Sequence, residues 1–292
     1  MLGFTNRASA TTALDNALRL GISQFDVART YGYGQAERLL GDFFRNNRSA
    51  VKITSKYGIA PATGLRANAI RLLRGGAAGL RHLQFVGNAN AQSASSIFWS
   101  ASAIQKSLEQ SLRELRTEYL DEFLLHSPPP KLALREDVFQ ALAAAQRAGK
   151  VRQVGVSTDA QTALAFLPKL QTAQISFNLE HPSLPIQLRA FPKTINHVYG
   201  GRGGSARIGL RIKHALAEAS LQFDPRIVED TAQLNEAILR VSLAAAGARA
   251  AVVAMNNPSH QALNVAAVIS PALPDLLIEY LSDALFSAAQ NN

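Results

Sequence analysis

The segment Glu122-Phe-Leu-Leu-His126 predicts a buried strand of a parallel sheet. Its three central residues form a continuous apolar run, which is typical of strands that are covered on both faces. Helical patterns flank this strand, at residues 101–116 before it and at residues 135–148 after it. The succession of helix, strand and helix is typical of βα units and favours a mostly parallel sheet with helices on its faces.

The same alternation recurs along the chain and predicts eight strands. They span residues 2–5, 24–27, 51–55, 122–126, 153–157, 174–178, 194–199 and 251–255. The predicted helices span residues 10–20, 35–46, 101–116, 135–148, 161–167, 231–246, 259–268 and 274–288. Gly21, Gly149 and Gly247 follow three of these helices, as C-terminal glycines commonly do. Because no linker separates the halves of the 292 residues, we expect one (β/α)8 TIM barrel domain over residues 1–292.

The composition excludes several classes of protein. Hydrophobic residues make up 47% of the chain and charged residues 17%, which provides for a large core and argues against disorder. No apolar run is long enough to span a bilayer, so we expect no membrane segment. The first ten residues lack the features of an export signal, so we expect a cytoplasmic protein. The absence of cysteine excludes disulfides, thiolate nucleophiles and cysteine-ligated metals.

The charge favours anionic partners without choosing one. The formal net charge is +9, but the arginines are spread along the chain without a dense run or interleaved aromatic residues. A phosphate-bearing small molecule explains the positive charge equally well, and no nucleic acid partner is expected. The histidines outside the candidate site show no ligand spacing, so no metal is expected. The oligomeric state is not predicted.

Four polar side chains lie at or just after the ends of neighbouring predicted strands. Asp26 ends the second strand, Tyr31 follows in the next turn, Lys56 follows the third strand and His126 ends the fourth. Active sites of α/β barrels lie at the C-terminal ends of the strands, so these side chains are expected on one rim. A phenol titrates near pH 10, and a nearby ammonium lowers its pKa. The set therefore predicts proton transfer from Tyr31, with Lys56 and Asp26 assisting and His126 orienting a carbonyl.

These residues stand in motifs that resemble one known family. The motifs Asp26-Val-Ala-Arg-Thr-Tyr31-Gly, Ile53-Thr-Ser-Lys56-Tyr-Gly and Leu124-Leu-His126-Ser-Pro are similar to the Asp, Tyr, Lys and His signature of the aldo-keto reductases. The resemblance covers nearly the whole chain. It implies NADPH-dependent reduction of an aldehyde or ketone, or oxidation of the alcohol, on a barrel whose N-terminal hairpin is missing. A nicotinamide cofactor would supply the hydride, which no side chain can provide.

The resemblance also implies cofactor contacts in the second half of the chain. Nicotinamide-binding positions match Ser157, Thr158 and Gln174, and the adenosine-binding stretch matches His260 and Asn264. The glycine-rich segment after the seventh strand is a candidate pyrophosphate cradle, because exposed amides bind phosphate. It runs from Tyr199 to Arg207, and its candidate cofactor contacts are Tyr199, Gly200, Gly201 and Arg202. NADPH is the expected cofactor, with NADH as the alternative.

Two other functions remain open. One is a regulatory or sensory subunit that binds the dinucleotide with little turnover. The other is a barrel lyase in which Lys56 forms a Schiff base with a carbonyl substrate. The substrate itself is not predicted, because specificity is expected in the long loops at residues 57–100 and 200–230.

Overall fold

The computed structural model describes residues 7–59, 98–218, 226, 229–254 and 257–287. Its strands are β1 (Gln24–Asp26), β2 (Lys52–Tyr57), β3 (Leu120–His126), β4 (Val151–Thr158), β5 (Thr172–Ser176), β6 (Lys193–Asn196) and β7 (Ala250–Val252). Its helices are α1 (Arg7–Arg19), α2 (Ala36–Phe44), α3 (Ala101–Leu115), α4 (Glu136–Arg147), α5 (Ala160–Ala163), α6 (Ile186–Arg189), α7 (Gly204–Glu218), α8 (Thr231–Ala246), α9 (Pro258–Ile269) and α10 (Asp275–Ser287). Short 3-10 turns lie at Tyr31–Gly34, Arg48–Ala50, Pro130–Leu134 and Leu164–Lys169.

The strands form a parallel sheet whose order follows the chain, from β1 to β7. The predicted first strand, residues 2–5, lies outside the described residues, as does Met255 of the predicted last strand. Seven of the predicted strands therefore have an observed counterpart among the described residues. The predicted alternation of strand and helix is confirmed.

The chain divides into two compact units. The first comprises Met1–Asp15 and Ile22–Val156, and the second comprises Asn16–Gly21 and Ser157–Asn292. The expectation that residues 1–292 form one domain stays a prediction.

In the first unit, β2 pairs in parallel with β1 and with β3, so that Asp26 lies opposite Thr54 and Lys56 lies opposite Leu124. The strand residues Ile53 and Phe123 are fully buried. Helix α3 contributes an apolar face with helical spacing to this core. It consists of Ile104, Leu108, Leu112 and Leu115, all of which are buried.

A charged cluster at the beginning of β3 ties the first unit together. The buried carboxylate of Asp121 accepts hydrogen bonds from Arg48 at 2.8 Å, from Arg152 at 2.7 Å and from the backbone N–H of Ile53 at 2.9 Å. Both guanidinium groups also lie over the ring of Tyr119, at 4.2 and 4.3 Å from its centroid. The cluster lies at the N-terminal end of the strand, where a barrel is not expected to carry catalysis, and it therefore has a stabilising role.

In the second unit, β6 pairs in parallel with β5 and with β7, which places Gln174 opposite Thr194. The ammonium of the buried Lys193 donates to the carbonyl oxygens of Arg189 at 2.9 Å and Gly247 at 3.0 Å. It thereby satisfies backbone acceptors at the ends of α6 and α8. Gly247 itself has a φ of 56°, in the left-handed region that the predicted glycine cap requires.

The structure corrects three details of the predicted elements. The strand predicted at residues 194–199 ends at Asn196, because His197 has a φ of 60°. The helix predicted at residues 161–167 is α5 followed by a 3-10 turn that contains Pro168, which cannot supply the backbone N–H of a regular helix. The long loop predicted at residues 200–230 contains α7, a helix of 15 residues that the prediction missed.

Candidate active site

The ends of β1, β2 and β3 position the four predicted catalytic side chains within the first unit. Asp26 is the last residue of β1, Lys56 is next to last in β2, and His126 ends β3. Tyr31 is the first residue of the 3-10 turn after β1, and its backbone N–H donates to the carbonyl oxygen of Ala28 at 2.9 Å. A side chain at Gly58 would place its Cβ 1.9 Å from the carbonyl oxygen of His126. Glycine there allows the backbone after β2 to lie directly against the end of β3.

The structure brings all four residues together. The fully buried Nζ of Lys56 donates to Oδ1 of Asp26 and lies 3.4 Å from the hydroxyl of Tyr31. The same ammonium is 4.9 Å from the centre of the Tyr31 ring. The ring of His126 stands almost perpendicular to that of Tyr31, with 6.4 Å between the ring centres. The predicted meeting of carboxylate, phenol, amine and imidazole is therefore observed.

The net shift in the pKa of Tyr31 differs from the expectation. Burial raises the pKa of Tyr31 above its usual value of 10, and the carboxylate of Asp26 raises it further, while the Lys56 ammonium lowers it. Lys56 lowers the pKa of Tyr31 in the predicted direction, but the loss of hydration on burial is the larger effect, so the net shift is upward and not downward. The phenol consequently holds its proton firmly at neutral pH.

A second polar cluster, in the second unit, surrounds the residues expected to bind the nicotinamide. The hydroxyl of Ser157 donates to Oε1 of Gln174 at 2.8 Å. Nδ2 of Asn196 donates to the same oxygen at 3.1 Å. Ser157 and Gln174 are both buried. Thr158 instead donates to the neighbouring carboxylate of Asp159 at 3.2 Å.

A third cluster contains the residue expected to bind adenine. The carbonyl oxygen of the buried Asn264 accepts hydrogen bonds from Tyr199 at 2.6 Å and from Nδ2 of Asn235 at 3.1 Å. Burial raises the pKa of Tyr199 to about 12, so its hydroxyl stays a donor. His260 lies one helical turn before Asn264 in α9 and is exposed.

Sequence reasoning missed Asn196 and Asn235 in these two clusters. Asn196 is the last residue of β6, and a polar residue at a strand end was a signal that could have identified it. Asn235 lies inside α8, where nothing in the sequence distinguishes it from a solvent-exposed helix residue.

The glycine-rich segment leads directly into the N-terminus of α7. Gly200 and Gly203 have φ values of 68° and 73°, which favour glycine. A Cβ at Gly200 would lie 2.1 Å from Oε1 of Glu180, so the glycine leaves room for that carboxylate. Glu180 is held by Arg207, whose Nε and Nη2 donate to it at 2.6 and 3.1 Å.

The Glu180–Arg207 pair changes the interpretation of the predicted phosphate cradle. Oε1 of Glu180 would also lie 2.8 Å from a Cβ on Gly204, so a carboxylate of the protein itself lies against this segment. Arg207 is engaged by that carboxylate, and its third nitrogen donates to the carbonyl of Arg202 at 2.9 Å. The side chain of Arg202 is exposed and forms no ion pair within the described part of the chain. Arg202 is thus the cation that is available to an external anion here.

Comparison with known proteins identifies the family. The model of the aldo/keto reductase family matches residues 2–182. This range includes the four candidate catalytic residues as well as Ser157 and Gln174. The chain therefore belongs to the aldo/keto reductase family.

Individual relatives agree with this assignment. An oxidoreductase of Escherichia coli, YdhF, is 31% identical over 205 residues, which are 65% of this chain and 60% of that protein. The aldo-keto reductase YhdN of Bacillus subtilis is 27% identical over 183 residues, 61% of this chain and 46% of that protein. The chain thus spans about half the length of the curated relatives that it matches.

A solved structure shares the fold of this chain. An aldo-keto reductase from Bacillus halodurans superposes with a TM-score of 0.64 at 17% identity, covering 96% of this chain and 87% of that one. The predicted (β/α)8 barrel fold is confirmed by this likeness together with the parallel strands. None of the helices in the described residues is both long and apolar enough to cross a membrane.

Proposed function

We propose that the protein is an NADPH-dependent oxidoreductase that reduces an aldehyde or ketone, or oxidises the corresponding alcohol. The observation that carries this proposal is the contact between the buried ammonium of Lys56 and the hydroxyl of Tyr31, at 3.4 Å. It supports a proton donor poised beside a charge that can stabilise the donor after it has lost its proton. Membership of a reductase family adds support for this chemistry.

Each side chain of the site has a distinct role in this proposal. Tyr31 is protonated near neutral pH, as a phenol with a pKa of 10 or above must be, and it gives that proton to the carbonyl oxygen. Lys56 stabilises the phenolate that remains, and Asp26 holds Lys56 in place. His126 donates a hydrogen bond to the carbonyl oxygen and so orients the substrate.

A bound NADPH would supply the hydride that reaches the carbonyl carbon. The amide of Gln174 is fixed by the Ser157 hydroxyl and is suited to bind the nicotinamide carboxamide, with Thr158 beside it. Gly200, Gly201 and Arg202 precede the N-terminus of α7, and the exposed guanidinium of Arg202 would contact the phosphates.

The adenosine part would lie at α9. There Asn264 offers its amide group, because its carbonyl oxygen is taken by Tyr199. His260 lies exposed on the preceding turn and would contact the ribose or a phosphate on it. NADH remains the alternative to NADPH.

The contact with Asp26 favours a reductase over a Schiff-base lyase. A lysine that attacks a carbonyl must be neutral, and burial in an apolar pocket is the usual way to make it so. Lys56 is buried, but the carboxylate of Asp26 lies against its Nζ, so its surroundings are not apolar.

The proposal is tested with the unmodified protein by titrating NADPH and NADH and then following cofactor consumption on a panel of aldehydes and ketones. We expect NADPH to bind more tightly than NADH and to be consumed with at least one carbonyl. Tight binding without consumption of any carbonyl would indicate a sensory subunit. Failure to bind either nucleotide would refute the proposal.

A further inference from the structure

A cavity of about 500 Å³ lies in the first unit between the end of β2 and α3. Its volume is in the range of small-molecule sites, about 300–1,000 Å³. Lys56 borders it, whereas Asp26, Tyr31 and His126 do not. The cavity is therefore next to the candidate active site but is not the same as it.

The walls of the cavity are strongly basic. Four cationic side chains border it, and no acidic side chain does among the described residues. They are Arg29, Lys56, Lys106 and Arg113. Only Lys56 has a carboxylate partner among the residues that the structure describes, since Asp26 is bound to its Nζ.

The other three cations lack carboxylate partners within the described part of the chain. Arg29 donates to the hydroxyl of Ser107 at 3.1 Å, and Arg113 donates to the amide oxygen of Gln110 at 2.7 Å. Lys106 is exposed and forms neither a hydrogen bond nor an ion pair there. Neutral groups of the protein thus orient two of the cations without cancelling their charge.

The nearby carboxyl groups are engaged elsewhere. Glu37 is buried and accepts a hydrogen bond from Ser55 at 2.6 Å, and burial raises its pKa. The charge of Arg29 lowers the pKa of Glu37, but the two groups form no ion pair within the described residues. Glu114 accepts a hydrogen bond from Gln110 at 2.9 Å and lies 3.8 Å from Arg38. Neither carboxyl group borders the cavity.

The arrangement of the polar residues follows from the sequence of α3. Lys106, Gln110 and Arg113 are spaced by four and three residues, so they lie along one face of the helix. The apolar residues of the same helix occupy its other face and are buried in the core. The face towards the cavity is therefore polar because of the regular helical pattern and not because of a local irregularity.

An aromatic surface completes the cavity. The ring of Tyr57 stacks on Phe98 with 4.9 Å between ring centres and an angle of 18° between the rings. Both residues border the cavity. Trp99, the only tryptophan of the chain, packs edge-on against both rings at 5.5 Å. Such a surface suits a flat apolar group.

We propose that this cavity binds a small organic anion, with a carboxylate or phosphate held by Arg29, Lys106 and Arg113 and an apolar body against Tyr57 and Phe98. Charge-assisted hydrogen bonds to guanidinium and ammonium groups are the strongest that such a cavity can offer. The anion is either the acidic group of the carbonyl substrate or a separate molecule. Its binding does not depend on the proposed reductase activity.

Trp99 packs against Tyr57 and Phe98, which border the cavity, so its emission reports changes in their surroundings. Tryptophan emission is followed while phenylacetate, phenyl phosphate or the neutral phenylacetamide is added at constant ionic strength. We expect both anions to change the emission with saturation and to bind at least about tenfold more tightly than the amide, which corresponds to about 1.4 kcal/mol. Equal affinity for the anions and the amide, or no saturable binding of either anion, would overturn the proposal.

Two substitutions locate the anion. Lys106→Met and Arg29→Met should each weaken binding of phenylacetate by about tenfold, whereas Lys52→Met, which removes an equal charge at the exposed start of β2, should not. Lys106 is exposed, so its substitution is expected to leave folding intact even if Arg29→Met does not fold. Equal losses for Lys106→Met and Lys52→Met would show a general charge effect and overturn the site.

Kinetics then distinguish the two sources of the anion. If the anion belongs to the substrate, Lys106→Met raises KM for 4-carboxybenzaldehyde but not for benzaldehyde, and phenylacetate competes with the former. If it is a separate molecule, KM is unchanged for both aldehydes while phenylacetate still binds. Both kinetic results are consistent with an anion site in the cavity. The fluorescence titration tests that site independently of either result.

Discussion

Replacing Lys56 by methionine removes the ammonium beside Tyr31 with little change in side-chain volume. At 3.4 Å and an effective dielectric constant of about 20, an ammonium and a phenolate attract each other by roughly 5 kcal/mol. Asp26 lies against the same ammonium and cancels part of this attraction. We therefore expect a loss of roughly 2–3 kcal/mol in the transition state, or about 100-fold in turnover.

The assay for Lys56→Met is NADPH consumption with the best carbonyl of the panel, measured across pH. Because the ammonium lowers the pKa of Tyr31, its removal should also move the pH dependence of alcohol oxidation to more alkaline values. The variant leaves the carboxylate of Asp26 without its partner, so thermal unfolding is measured, and Lys56→Met with Asp26→Asn restores neutrality. Lys52→Met on the same strand is the charge control. Turnover within about threefold of the parent in a folded Lys56→Met protein would refute the electrostatic role.

Three further predictions concern stability and the glycine-rich segment. Asp121→Ala leaves two arginines and a buried backbone N–H without this acceptor and should lower the free energy of unfolding by about 3 kcal/mol. The control Asp137→Ala removes an exposed ion pair and should leave the thermal midpoint unchanged, so equal midpoints for the two variants would contradict the prediction. Burial raises the pKa of Glu37 above 4.5, so the folded state holds this proton to higher pH than the unfolded state does. The free energy of unfolding should therefore fall as pH rises above about 4.5. Glu37→Gln should remove that fall in denaturation curves, and an unchanged pH dependence in the variant would contradict this account. Gly200→Ala should weaken NADPH binding by about tenfold in a titration, because φ is 68° at this residue and the new Cβ would lie 2.1 Å from a carboxylate oxygen. The control Gly201→Ala, whose Cβ would meet nothing within 4 Å, should bind NADPH as the parent does. Equal affinities of the two variants for NADPH would rule out the steric explanation.

The central geometry of the site was predictable from the sequence because it follows from the topology of parallel strands. Short strand-like runs that alternate with helical patterns located β1, β2 and β3, and residues at the ends of neighbouring parallel strands must lie close together. The order of the strands along the chain therefore sufficed to group Asp26, Lys56 and His126. Tyr31 could be added because it follows the end of β1 within one short turn.

The direction in which the pKa of Tyr31 shifts was not predictable, because it depends on how deeply tertiary packing buries the phenol. A sequence shows that a lysine is available but not how much hydration the tyrosine loses. The contact of Glu180 with Arg207 was also beyond reach, since the two residues are 27 positions apart and neither belongs to a recognisable motif. Their pairing is a consequence of packing between the segment after β5 and the start of α7.

Helix α7 could have been predicted from its apolar spacing. Ile208, Ile212, Ala215 and Leu216 are buried on one helical face, and their spacing is visible in the sequence. The preceding glycines favoured a loop instead. They form a turn that leads directly into the helix, so the sequence carries a loop pattern and a helix pattern one after the other.

The most direct measurement compares Tyr31→Phe with the parent protein for NADPH binding and for carbonyl reduction. The phenylalanine ring retains the packing of the tyrosine but has no proton to give. We expect the dissociation constant for NADPH to stay within about twofold and turnover to fall by about 100-fold or more, the usual contribution of a positioned general acid. Turnover equal to that of the parent would mean that Tyr31 is not the proton donor.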